Sequence, residues 1–373
     1  MVDALTILSL LGGLVVLVVG GELLVRGAGG LALALGLSPL VVGLTVVSFA
    51  TSAPELAVTL DATLAGSPEL AVGNVVGSNI ANVLLVLGLS ALVLPLAVAT
   101  GVLRQDVPVM IGFSVLALVL ALDGGIGRLD GVVLVALLLA YTAWLVVASR
   151  RTERRSAGTT QAPVRRPARS ARRVGVDVLL VVVGVGLLVL GARLLVGAAT
   201  GIGAALGVSD LVMGLTVVAV GTSLPELATS VIAAVRGERD LAVGNVVGSN
   251  VFNLGAVLGL AAVISPGGVP VSDGALALDL PVMVVVALAL LPVVFTGAAV
   301  ARWEGAVFVA YYAVYVVYLV LDATGHESLP VLGGVVLSFL LPLTALTLAV
   351  LVVAEVRVLR RRRRTGRADP PPS

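Results

Sequence analysis

Two stretches of this sequence set an acid beside hydroxyls and a proline in apolar surroundings. They are Thr51-Ser52-Ala53-Pro54-Glu55 and Thr222-Ser223-Leu224-Pro225-Glu226. A carboxylate near the middle of an apolar membrane helix costs about 2.5–3.5 kcal/mol on insertion scales, so two at equivalent places need a compensating role. A bound cation is the natural one. On a helix, Ser52 and Thr51 lie three and four residues before Glu55 and share its face. Pro54 has no N–H and its ring displaces the carbonyl of Ala50; Pro225 does the same to Gly221. Hydroxyls, freed carbonyls and one carboxylate make a hard, all-oxygen half-site.

A second pair of stretches, each Gly-Asn-Val-Val-Gly-Ser-Asn, supplies amides and further hydroxyls. Asn74, Ser78 and Asn82 recur every four residues along one helical stripe, and Asn245, Ser249 and Asn253 repeat it. Gly73 and Gly77, like Gly244 and Gly248, form small-xxx-small faces that let two backbones touch. A lone Ser or Asn in a membrane helix more often glues helices together than binds an ion. Duplication of both motifs as a set reverses that preference. Two carboxylates neutralise one Ca²⁺, which takes 6–8 oxygens in flexible geometry, whereas Mg²⁺ demands a tight octahedron and keeps its waters. The same oxygens also suit Na⁺, and shared ligands make the two occupancies mutually exclusive, as an antiporter requires.

The elements that position these groups are membrane helices. Of 373 residues, 59% are hydrophobic and only 12% charged, with mean hydropathy +1.17. A soluble domain carries about 25% charged residues, so a soluble enzyme is excluded and no enzymatic activity is expected. The absence of cysteine excludes thiol catalysis, disulfides and iron–sulfur clusters, and a single histidine leaves little for His-based metal sites. A bilayer core needs roughly 20 apolar residues per helix. Candidate spans are 4–25, 38–65, 69–95, 106–122, 129–148, 174–197, 209–236, 240–264, 275–296, 303–321 and 329–354, eleven in all. The first is read as retained, because no basic segment precedes it.

Shifting the chain by 171 residues superposes its halves. Over 43–89 against 214–260, 28 of 47 positions are identical without a gap. The match extends upstream through 20–25 and 191–196, and resumes at Asp106-Val-Pro-Val-Met against Asp279-Leu-Pro-Val-Met and at Arg128-Leu-Asp-Gly against Arg302-Trp-Glu-Gly. Each repeat holds five spans, an odd number, so the second copy must enter the membrane upside down. Inverted repeats of this kind mark secondary transporters. The predicted fold is an all-α polytopic membrane protein of two inverted five-helix repeats, 1–149 and 174–322, joined by a basic linker, 150–173. An extra helix, 323–356, and a basic tail, 357–373, follow.

All 23 basic residues are arginines; nine lie in 150–173 and seven in the tail. Clustered arginine beside apolar spans marks cytoplasmic loops, which sets the N-terminus outside and, through the eleventh span, the C-terminus inside. The cytoplasmic membrane is the expected location.

The paired G-T-S-x-P-E-L and G-N-x-x-G-S-N-x-x-N segments resemble the α-repeats of the cation/calcium exchanger superfamily, specifically prokaryotic sodium/calcium exchangers. The resemblance covers spans 1 to 10. It implies Glu55 and Glu226 as central calcium ligands with Asn82 and Asn253 beside them. It further implies Thr51, Ser52, Ser78, Thr222, Ser223 and Ser249 as sodium ligands, with backbone oxygens at Ser48 and Ala219. No cofactor is implied: the partners are Ca²⁺, Na⁺ and the bilayer, with no nucleic acid.

Ala50 stands where the family's first motif has glycine, and Asn253 where some relatives carry aspartate, leaving two carboxylates at the site. Ion stoichiometry therefore stays open, as does proton coupling in place of sodium. The short linker has no room for a calcium-sensing domain. Among the other charges, Asp61 has no duplicate and is read as an interfacial residue, while Glu69, Asp240, Asp106 and Asp279 are read as helix starts.

Overall fold

The computed structural model describes residues 4–98, 101–156, 171–205, 219–295, 299–326 and 329, which are mostly helical. Helix α1 is Ala4–Leu35. Helices α2, Pro39–Thr51, and α3, Ala53–Leu64, are two limbs of one span bent by 43°. Then come α4 (68–93), α5 (102–120), α6 (Arg128–Ser156) and α7 (Ala171–Ala205). They are followed by α8 (Ala219–Thr222), α9 (Leu224–Val235), α10 (Arg239–Ile264), α11 (275–295) and α12 (Arg302–Ala323). Among the described residues, seven helices are long and apolar enough to cross a membrane, eight if α2 and α3 count as one. The shorter apolar helices Leu224–Val235 and Ala275–Leu291 stand where the seventh and ninth spans were expected. Residues 209–218 of the seventh, and all but the first residue of the eleventh (329–354), lie outside the described residues.

Sequence explains the breaks. Ser38 caps α2 by accepting the N–H of Val41 at 3.3 Å, and Pro39 occupies a position whose N–H needs no partner. The chain leaves the helix at Ser52 (φ −79°, ψ 4°) and at Ser223 (φ −86°, ψ 3°), two residues before Pro54 and Pro225. Wide π-helical turns begin at Asn82 and Asn253, over Asn82–Leu87 and Asn253–Leu258. Each inserts one extra residue into α4 or α10 and shifts every later side chain round the helix.

The halves interlock. Glycines let α1 and α7 touch: a methyl group on Gly20 would lie 2.7 Å from the backbone N of Leu188, and one on Gly191 equally close to that of Leu17. Gly13 meets Gly191, Gly20 meets Gly184 and Gly27 meets Asp177, so the partner recedes by seven residues as α1 advances by seven. The two helices therefore run antiparallel. Short strands pair across the halves as well. β1 (Leu96–Ala97) lies antiparallel to β4 (Ala299–Val300), and β2 (Gly125–Ile126) to β3 (Val269–Pro270). Arg128 Nε donates to the Ser265 carbonyl at 2.8 Å and Arg302 Nη2 to the Val93 carbonyl at 3.4 Å, so each caps a helix of the other half.

Burial is greatest in α4 and α10, while fewer than a third of the residues in the apolar stretches of α1, α6, α7 and α12 are buried. The motif helices thus form the centre. One expectation is corrected: Asp106 does not begin a helix. The helix starts with a wide turn over Val102–Asp106, and buried Asp106 accepts the Tyr141 hydroxyl at 2.8 Å. Asp279 likewise ends a wide turn, Ala275–Asp279, and accepts the Tyr315 hydroxyl at 3.0 Å. Asp61 is exposed, and Asp240 does lie in the first turn of α10.

Candidate cation site

Glu55 and Glu226 sit in the first turns of α3 and α9, directly after the breaks at Ser52 and Ser223. They are 1% and 0% exposed, and none of their four carboxylate oxygens has a hydrogen-bond partner among the described residues. The two carboxylates are close enough to repel one another. Glu226 also lies near the hydroxyls of Thr51 and Ser52 in the other half, short of hydrogen-bond geometry. An unpaired buried carboxylate is far costlier than an unpaired neutral group, so this pair needs either a cation between the two or protons on them.

Other unpaired groups lie on the same elements and on the helices packed against them. Among the described residues, buried Ser52, Ser78 and Ser223 have hydroxyls without partners, Asn82 has both its amide atoms free of them, and Asn253 its Oδ1. All five were candidates from the sequence. Asn253 Nδ2 donates to Asn79 Oδ1 at 3.2 Å, and Asn79 Nδ2 reaches Met283 Sδ at 3.6 Å.

The Asn of each G-N segment braces the neighbouring glutamate. Asn74 Nδ2 donates to the Glu55 carbonyl at 3.1 Å and to Thr59 Oγ1 at 2.9 Å. Asn245 Nδ2 does the same to the Glu226 carbonyl at 3.4 Å and to Ser230 Oγ at 3.0 Å. These bonds tie α4 to α3 and α10 to α9. Thr59 and Ser230 were missed from sequence, although each follows its glutamate by one turn at duplicated positions.

Thr51 and Ser48 make the contacts between the halves. Thr51 Oγ1 donates to Asn245 Oδ1 at 3.1 Å and lies 3.5 Å from Ser249 Oγ. Ser48 Oγ donates to the Gly43 carbonyl at 2.7 Å and the Asn245 carbonyl at 3.1 Å. The Ser48 carbonyl is engaged by the Ser52 N–H at 2.9 Å and the Thr51 hydroxyl at 3.4 Å. On the second half, the Ser223 N–H turns instead to Val220, at 3.1 Å, rather than to Ala219. Thr222 is half-buried in α8 beside Ala219. Gly244 and Gly248 pack tightly on the backbone of α2, as expected, whereas Gly73 and Gly77 have open space beside them among the described residues.

Among those residues no three His, Cys, Asp or Glu side chains come together. A cation here has two carboxylates and otherwise neutral oxygens, a donor set for the hard ions Ca²⁺ and Na⁺.

A membrane bundle wrapped around unpaired buried carboxylates and hydroxyls defines an ion transporter. The sequence matches the family described as sodium/calcium exchanger protein over residues 5–147 and 176–321, and the chain belongs to that family. It is 41% identical to the inner membrane protein YrbG of Escherichia coli (strain K12) over 257 residues, 68% of this chain and 78% of that one. With the sodium/calcium exchanger MaX1 of Methanosarcina acetivorans it shares 34% identity over 343 residues, 84% of this chain and 97% of the relative. Its fold is similar to that of the sodium-calcium exchanger NCX_Mj soaked with Na⁺. That match has a TM-score of 0.72 and 32% identity, covering 85% of this chain and 99% of that structure.

Proposed function

We propose that this chain is a secondary active antiporter that exchanges Na⁺ for Ca²⁺ across the cytoplasmic membrane by alternating access. The observation that carries the reading is chemical. Among the described residues, the buried oxygens left without partners belong almost entirely to the duplicated motif residues Ser52, Glu55, Ser78, Asn82, Ser223, Glu226 and Asn253. In the transport cycle Glu55 and Glu226 take one Ca²⁺ between them, with Asn82 and Asn253 completing its oxygen shell. Thr51, Ser52, Ser78, Thr222, Ser223 and Ser249, with the carbonyls of Ser48 and Ala219, serve the flanking Na⁺ ions. Because both ions draw on Glu55 and Glu226, one must leave before the other binds, which couples their fluxes.

The inverted-repeat architecture is part of this proposal. The antiparallel glycine contact of α1 with α7 supports it, as do the strand pairs and arginine caps that cross between halves. With the arginine-rich linker inside, the N-terminus lies outside, and an eleventh span over 329–354 returns the basic tail to the cytoplasm. A bacterial relative called an inner membrane protein supports the location.

The test is ⁴⁵Ca²⁺ uptake into proteoliposomes loaded with Na⁺ and diluted into Na⁺-free medium at equal pH. A parallel set carries only a pH gradient, with voltage clamped by potassium and valinomycin. Uptake driven by Na⁺ alone is the expected result. Uptake driven only by pH would make Glu55 and Glu226 proton carriers instead.

A further inference from the structure

Two buried hydroxyls behave like the site residues yet lie outside the duplicated motifs. Ser90 in α4 and Thr229 in α9 are each 0% exposed, and neither hydroxyl has a hydrogen-bond partner among the described residues. A serine or threonine within a helix ordinarily satisfies itself on the carbonyl four residues back. Thr45, Thr63, Ser114 and Thr200 do so here, at 2.6, 2.7, 3.0 and 3.0 Å. Ser90 and Thr229 do not. They share the unpaired state with Ser52, Ser78 and Ser223 of the candidate site.

Their placement extends that site in one direction. Thr229 follows Glu226 by three residues, so it lies one turn along on the adjoining face of α9. Ser230 beside it is held by Asn245, and Ala228 and Ile232 face Gly21 of α1. Ser90 lies in the turn of α4 that follows the wide turn beginning at Asn82. Helix α9 packs directly against both the wide turn and Gly88–Val93. The neighbouring Gly88 and Ala91 are taken up by Gly305 of α12. In the topology proposed above, α4 and α9 both run from outside to inside, so both hydroxyls lie on the cytoplasmic side of the central oxygens.

The repeat breaks at both positions. Where the second half has Thr229 the first has Val58, and where the first has Ser90 the second has Ala261. In that topology these two hydroxyls, which the repeat does not duplicate, lie on one side of the central site. We propose that Ser90 and Thr229 form an accessory Na⁺ station between the central site and the cytoplasm. Two neutral hydroxyls suit a monovalent cation that keeps some of its water. They do not replace the hydration shell of Ca²⁺, which needs anionic oxygens and a larger ligand set. The station gives the cytoplasmic face a Na⁺ dependence that the outer face lacks. The inference rests on the Na⁺/Ca²⁺ reading for its role in exchange, and on Ser90 and Thr229 alone for ion binding.

The chain has no cysteine, so single-cysteine variants report without background. Ser90→Cys and Thr229→Cys, each with the other hydroxyl intact, are exposed to a membrane-impermeant methanethiosulfonate in right-side-out and inverted vesicles. Val58→Cys and Ala261→Cys are the controls. Labelling of the first two from the cytoplasmic face only, slowed by Na⁺ but not by choline, is expected; the controls show no Na⁺ protection. Labelling from both faces or neither, or labelling indifferent to Na⁺, would overturn the station. In transport, the Ser90→Ala/Thr229→Val double variant raises the half-saturating cytoplasmic Na⁺ about 3- to 10-fold, the effect of losing one or two hydroxyl ligands, and leaves external Na⁺ dependence unmoved. An equal shift on both faces would assign the pair to packing of the central site. Protection is read without transport, so a wild-type protein that proved proton-driven would sink the exchange reading while the labelling still decided the station.

Discussion

Thr51 donates its hydroxyl to the side-chain oxygen of Asn245 at 3.1 Å, joining the broken helix of the first half to the amide motif of the second. The other end of that amide holds the Glu226 carbonyl and Ser230. One side chain thus sets the position of a glutamate in its own half and reads the position of a threonine in the other. The two half-sites are thereby mechanically linked.

Replacing Asn245 with Ala removes the acceptor for Thr51 and the donor to Ser230 and Glu226. Buried hydrogen bonds of this kind contribute about 1 kcal/mol each. The half-saturating Ca²⁺ concentration in ⁴⁵Ca²⁺ uptake should rise about tenfold. An unchanged value would mean that Glu226 is held in place without this brace.

The unpaired carboxylates predict strong stabilisation by the transported ion. A ligand at a hundred times its dissociation constant stabilises by about 2.7 kcal/mol. Thermal unfolding of the purified protein should therefore shift upward with Ca²⁺, and chelation should reverse the shift. Glu55→Gln and Glu226→Gln should each fold, lose the shift and lose Na⁺-driven Ca²⁺ uptake. Retained uptake in both variants would remove these residues from the site.

The contact between α1 and α7 should be intolerant of a single methyl group at chosen positions. At Gly20 and Gly184 an added Cβ would lie 2.7 Å from the backbone of the opposite helix. Alanine at either should destabilise by roughly 1–3 kcal/mol, the usual cost of overpacking. Gly12 has nothing within 4 Å of that position among the described residues, and Gly12→Ala should be neutral or gain up to about 1 kcal/mol from helix propensity. Denaturation in detergent compares the three.

The two tyrosine–aspartate pairs differ in burial, and their variants should differ in cost. Tyr141→Phe strips the partner from Asp106, which is buried, and should cost about 1–3 kcal/mol. Tyr315→Phe leaves Asp279 half-buried and able to recruit water, so the loss should be smaller. Equal losses would show that the hydroxyls contribute through packing alone.

Much of the candidate site is legible in the residues because duplication makes two independent statements of the same chemistry. Glu55 and Glu226, the hydroxyls before them and the asparagines at Asn82 and Asn253 all emerge from the repeat, and the prolines announce the breaks at Ser52 and Ser223. Thr59 and Ser230 escape notice because threonine and serine look interchangeable with glue until an amide is seen to hold them. Tyr141 and Asp106 escape for another reason: they lie 35 residues apart, and nothing in either local pattern names the other.

Local chemistry determined what this chain could decide alone: the solvent it needs, the length of most helices, the places where they break, and which faces carry oxygen. Those follow from hydropathy, helical periodicity and the missing N–H of proline, all properties of neighbouring residues. Tertiary structure decided the pairing of faces. Only packing sets Thr51 against Asn245 rather than Asn74, takes up Gly244 and Gly248 on α2, and leaves Ser90 and Thr229 without partners among the described residues. A helix turns a side chain toward a direction, but what waits there depends on residues far away in the chain.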